Sequence, residues 1–216
     1  ITGQSFGGLM ASGLLNVVGE HMNGLQIAGI ANITASKLNG VQVALCNYAT
    51  KARGLQIGLV NYYKEDMKGF QLGLVNANPD TKVQMMVYGG NATPANIGVR
   101  FKNQLFYTIL GVGSMYQGLN DKFSASASYR AGLSFPLYKG LSISGDLGYQ
   151  HIEAFDNKDE VIPKRLYALQ ARANLEYQFT KKFGIFATGG YGLTRFYNKS
   201  SNYDTVSYTH LTLPTN

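Results

Sequence analysis

Side chains able to do chemistry are few and scattered in this sequence. There are three histidines, His21, His151 and His210, and one cysteine, Cys46, in 216 residues. A zinc site needs three or four His, Cys or carboxylate ligands at short spacing. None of these residues has such a neighbour, so neither a metal nor any other cofactor is expected. No G-x-S-x-G elbow, P-loop or dinucleotide fingerprint stands in the right context. A hydrolytic centre would have to draw on His151, Glu153, Ser200 and Ser201, whose mutual geometry no spacing fixes. The expectation is therefore no catalytic residue and no enzyme. Two polar sets remain. Arg130, Asp146, Arg172 and Glu176 are lone charges on faces otherwise made of Ser, Gln, Asn and Gly, while Gln26, Gln42, Gln56 and Gln71 recur at one fixed place. Facing a common interior, the four charges either pair and tie strands together or form a charged constriction that selects solutes. The glutamines would make a polar belt, hydrogen-bonded across strands.

The elements that must hold these residues come in two kinds. Residues 54–61 read Gly-Leu-Gln-Ile-Gly-Leu-Val-Asn, and 69–76 repeat them almost letter for letter. Residues 40–47 are a third copy, 24–32 a fourth with one residue inserted, and 8–16 and 83–91 are degenerate outer members. Starts at 8, 24, 40, 54 and 69 set a period of about 15 residues, and such a period governs the whole fold reading. Within a copy the period is two: Leu55, Ile57 and Leu59 share one face, Gly54, Gln56 and Gly58 the other. Glycines this frequent disfavour a helix by about 1 kcal/mol each relative to alanine. Each copy reads as one short strand with an oily side and a small, polar side. Cys46 takes a Val position and reads as a small apolar filler.

Beyond Pro94 the strands lengthen. Over 123–135, Phe123, Ala125, Ala127, Tyr129, Ala131, Leu133 and Phe135 oppose Ser124, Ser126, Ser128, Arg130, Gly132 and Ser134. Over 166–179, Tyr167, Leu169, Ala171, Ala173, Leu175, Tyr177 and Phe179 oppose Ala168, Gln170, Arg172, Asn174, Glu176 and Gln178. A third such strand covers 141–149, with less regular ones near 104–116 and 183–196 and a possible one at 97–102. Connections alternate between tight (136–140, 180–182) and long and polar (117–122, 153–165, 198–204), as in an up-and-down barrel.

Bulk composition points the same way. Charged residues make up 14%, against about 25% in ordinary soluble domains, while Gly numbers 26 and Tyr plus Phe another 26. The net charge of +7 comes from dispersed Lys and Arg, which argues against a nucleic-acid surface. No run of 18 apolar residues offers a transmembrane helix. The fold expectation is all-β: an antiparallel up-and-down transmembrane β-barrel with about 11–12 strands present and others missing. Residues 1–92 would be a repeat block forming part of the wall, and 93–205 the long-strand region. The alternative is a short β-solenoid repeat block with Asn ladders, followed by a partial barrel. Against the solenoid stands the shortness of each unit, which leaves almost no second side for a core.

The repeat and the amphipathic strands after it resemble a bacterial surface-repeat family of Gram-negative and spirochaete envelopes, by motif over 8–91 and by general barrel pattern over 97–204. The resemblance implies a bacterial outer-membrane or cell-surface location and no enzymatic activity. The expected function is an outer-membrane surface protein, serving as a passive pore or for structural display; the alternative is a surface-exposed β-solenoid adhesin or binding module, and less so an outer-membrane hydrolase. Expected partners are outer-membrane lipid, with small solutes or host surface molecules, and no nucleic acid. The chain opens on Ile1 rather than Met, and residues 206–215 resemble a translated sequencing-library adapter. A fragment open at both ends is expected, with 206–216, including His210, a non-native tail.

Overall fold

The computed structural model describes residues 1–90, 93–117, 122–156, 164–180, 183–197 and 205–212. All regular elements among them are strands. Two compact units are present: residues 1–82 together with 101–103, and residues 83–100 together with 104–216.

In the first unit, β1 (Phe6–Ser12), β2 (Leu15–Val18), β3 (His21–Ala28), β4 (Ala31–Val43), β5 (Cys46–Ile57), β6 (Val60–Leu72) and β7 (Val75–Ala77) form a seven-stranded sheet. Every pairing in it is parallel. The antiparallel barrel wall expected for the repeats does not form; they coil as a β-solenoid, one repeat per turn of the coil. Register explains why. Gly24, Gly40, Gly54 and Gly69 lie on one another, as do Gln26, Gln42, Gln56 and Gln71. Asn32, Asn47, Asn61 and Asn76 do the same. Only parallel, in-register stacking puts identical amides side by side, where each can donate to the next. Unequal repeat lengths are absorbed as irregularities in the coil. Two residues, Ala35 and Ser36, separate Thr34 from Lys37, where the next coil has Thr50 alone between Ala49 and Lys51.

The expected objection, too little room for a core, fails because the Leu-Ile-Leu face is not the core. Gln26, Gln42, Gln56, Asn32 and Asn61 are fully buried, while Ile57, Leu59 and Phe70 lie outside at 37%, 48% and 73% exposure. The interior is narrow and filled by these amides on either side of an apolar strip of Val18, Met22, Leu38, Ala49 and Ala52. Cys46 is exposed rather than a packed filler. Each coil also turns back at a glycine that nothing larger can replace. Gly54 has φ +128°, a left-handed conformation open to glycine at little cost, and a Cβ there would stand 2.0 Å from the Gly40 carbonyl oxygen.

In the second unit, β8 (Lys82–Tyr88), β9 (Ala95–Asn103), β10 (Phe106–Gln117), β11 (Lys122–Tyr138), β12 (Leu141–Asp156), β13 (Lys164–Gln178), β14 (Gly184–Tyr197) and β15 (Thr205–Thr212) form an eight-stranded sheet in sequence order. The pairings from β10 to β15 are antiparallel. These are the long strands expected from alternation. The hairpin between β11 and β12 turns in two residues, Lys139 and Gly140, both with positive φ, as the right-handed twist of a strand pair favours.

The amide ladder sets a stability test. Asn47→Ala removes donors to the Ile57 carbonyl and to Asn61, and the acceptor of Asn32. At about 1–3 kcal/mol for each buried group left unpaired, urea unfolding of the solenoid should shift strongly. Asn39→Ala, which loses one exposed bond to Asn23, should cost under about 0.5 kcal/mol. Equal effects of the two changes would contradict an interior held by amides.

Candidate functional site: the polar interior of the antiparallel unit

Alternation along the long strands sends charges to one face and aliphatics to the other. Arg130, Asp146, Asn174 and Glu176 are buried, whereas Leu133, Leu147, Leu169 and Leu175 are 47%, 71%, 62% and 50% exposed. The buried face is concave. Strands four apart in a flat sheet would lie about 19 Å from one another at about 4.8 Å per strand. Yet Arg100 on β9 makes a two-pronged ion pair with Glu176 on β13, both contacts at 2.7 Å. The ring of Tyr88 on β8 lies 6.3 Å from that of Phe186 on β14, and Gln150 on β12 reaches Thr93, just before β9, at 3.0 Å. The sheet is rolled around these side chains.

At the centre Asp146 accepts four hydrogen bonds from three residues. Arg130 donates Nε and Nη2 to its two oxygens at 2.9 and 2.8 Å, Tyr107 its hydroxyl at 2.7 Å, and Asn174 its amide at 2.8 Å. Arg130 also donates to the Asn174 carbonyl oxygen at 3.2 Å, which accepts Thr188 Oγ1 at 2.7 Å. Both members of the Arg130–Asp146 pair are almost fully buried. A buried pair like this holds only when further hydrogen bonds offset its desolvation, and Tyr107 and Asn174 supply them to the carboxylate.

Of the four charges singled out in the sequence, three thus belong to two ion pairs, Arg130 with Asp146 and Glu176 with Arg100. The fourth makes no ion pair among the described residues. Arg172 is the cross-strand neighbour of Asp146, but Asp146 is engaged by Arg130, and Arg172 donates instead to Gln170 on its own strand. Sequence reasoning missed Arg100, although burial of Asn96, Gly98 and Arg100 between more exposed Ile97 and Val99 follows the same period of two. It also missed Tyr107, and it set Asn174 on the polar face without giving it a part; both reach Asp146, from β10 and β13.

Beside this cluster lies a cavity of about 70 Å³ whose lining includes Tyr88, Thr93, Arg130, Gln150, Arg172 and Thr188. The four glutamines expected beside these charges are elsewhere: Gln26, Gln42, Gln56 and Gln71 form a ladder inside the solenoid, with bonds of 2.8 to 2.9 Å. His151 sits edge-on to Tyr167 at 4.9 Å, and Glu153 meets Arg165 at 3.3 Å. Ser200 and Ser201 lie outside the described residues.

Removing one partner of a buried pair leaves the other uncompensated, at about 3–5 kcal/mol. Asp146→Asn should therefore lower unfolding stability of the antiparallel unit by that order, and Arg130→Gln added to it should recover part of the loss. A strictly additive double-mutant cycle would contradict the pairing.

No family model matches the chain, and neither a curated protein nor a solved structure matches it.

Proposed function

We propose that this chain is a bacterial envelope protein whose rolled antiparallel sheet is a barrel-type wall seated in outer-membrane lipid, and whose β-solenoid is a surface-exposed binding module. It is proposed, with this, as a member of the surface-repeat family its motif resembles. One observation carries the reading. Ion pairs and amides are buried while Leu147, Leu169, Ile185 and Val112 stand on the outside at 71%, 62%, 55% and 64% exposure. In water that arrangement is unfavourable, because a contiguous apolar surface beyond about 300–600 Å² marks an interaction face. In lipid it is the expected one.

Dimensions agree with a membrane. Tyr167 and Tyr177 lie ten residues apart on the outer face of β13, about 34 Å along a strand. Tilted by about 45°, that distance covers about 24 Å of bilayer, close to the apolar band of about 25 Å between aromatic girdles. Tyr149 stacks near Tyr167 at 6.1 Å between ring centres, and Tyr177 is followed by exposed Phe179 and Phe183.

Display is favoured over passage. Among the described strands the Arg100–Glu176 pair joins β9 to β13 across the concave face, and the Arg130–Asp146 pair ties the neighbouring strands β11 and β12 beneath it. The solenoid suits binding because its exterior repeats: Ile27, Ile57 and Leu72 form one exposed column and Ile30, Leu45, Leu59 and Leu74 another. Tyr48 stacks on Tyr62 at 5.8 Å on another part of the coil. A host surface molecule with an extended apolar face is the class of partner such columns would take.

Two measurements check this reading. The protein expressed in a Gram-negative host should need detergent for extraction and resist salt and urea washes; release by salt or urea overturns the membrane seat. In planar bilayers it should give no stepwise current, whereas unitary conductance would make it a pore.

A further inference from the structure

Two arginines and, among the described residues, no carboxylate line the cavity inside the rolled sheet. Among the described residues Arg130 is matched by Asp146 and Arg100 by Glu176, while Arg172 has no carboxylate and donates only to the neutral Gln170. Its guanidinium has five N–H groups, and it shares a cavity wall with a second guanidinium, that of Arg130. Two cations beside a partly enclosed space repel each other, and an interior cation without a counter-charge is costly. Around the same space stand Gln150 and Thr188, an amide and a hydroxyl, and the aromatic rings of Tyr88 and Phe186. Thr93 and Gln150 already hold each other at 3.0 Å, which fixes that part of the wall in advance.

We propose that this cavity is a binding site for a small oxyanion of the carboxylate class, with Arg172 as its principal ligand. The planar guanidinium fork matches two carboxylate oxygens in parallel hydrogen bonds. The volume of about 70 Å³ admits only a few non-hydrogen atoms, since one water occupies about 10–15 Å³ on this measure. Tyr88 and Phe186 offer an apolar side to a short carbon chain, which phosphate lacks. The bound anion is the missing counter-charge of Arg172. The site belongs to the folded sheet and stands whether or not that sheet lies in lipid.

Calorimetric titration of the whole chain in detergent micelles with sodium acetate, at constant ionic strength, tests this, with inorganic phosphate as a second arm. Saturable acetate binding is expected, weakened at least tenfold in R172Q, together with an acetate-dependent rise in the unfolding midpoint that R172Q lacks. R172Q should fold without acetate as well as the unaltered chain does, because the side chain it loses holds no carboxylate. Absence of saturable acetate heat on the folded protein, equal binding by R172Q, or failure of R172Q to fold would each overturn the assignment. Phosphate binding tighter than acetate would overturn the carboxylate class.

Discussion

Everything in this molecule depends on polar groups that face inward finding partners in one another. In the solenoid, Asn32, Asn47 and Asn61 each donate to the asparagine of the next coil at 2.9 to 3.0 Å. They also donate to the carbonyl that ends the neighbouring strand: Val43, Ile57 and Leu72. The glutamine ladder runs the other way, each amide donating to the preceding coil. Two ladders of opposite polarity thus line one narrow interior and leave its amides satisfied. In the rolled sheet, ion pairs do the same work. Because amides and ion pairs fill most of the inside, with only small apolar clusters beside them, many aliphatic side chains are free to cover the outside.

This inversion was legible in the sequence as a pattern of faces, not as a topology. A period of two places Gln56 opposite Leu55 and Ile57, and Arg172 opposite Leu169 and Leu175, whichever way neighbouring strands run. The long strands could be placed well, since Ser, Arg and Asn alternate cleanly with Leu and Tyr there and the connections mark their ends. Parallel against antiparallel was not legible from alternation. It depends on whether identical residues meet, and the deciding signal was the fixed Asn at positions 32, 47, 61 and 76. An Asn kept at one place in every coil has a stacking partner only when coils pile in register, and a core filled by amides needs little room for aliphatic side chains.

The polar interior of the sheet was legible one residue at a time and illegible as pairs. Arg130, Asp146, Arg172 and Glu176 all stood out as charges on polar faces. Which of them would meet depends on how tightly the sheet rolls. Neighbouring strands offered Asp146 both Arg172 on β13 and Arg130 on β11, and Arg130 took it; Tyr107 reaches it across Gly132, and rolling brought Arg100 onto Glu176. Arg172 was thereby left at a cavity wall that has no acid among the described residues. That arrangement is a product of tertiary geometry and could not have been counted along the chain.

The account is tested most directly by asking what each face of one strand touches. Spin labels at two adjacent positions of β13, Leu169 and Gln170, in proteoliposomes and with Cys46 replaced by Ala, would read collisions with oxygen, which concentrates in lipid, and with a water-soluble nickel chelate. The label at 169 should collide freely with oxygen and scarcely with nickel, and the label at 170 should be shielded from oxygen. Nickel access at 169 would contradict the proposed lipid seat, and the two positions exchanging behaviour would contradict a polar interior behind an aliphatic exterior.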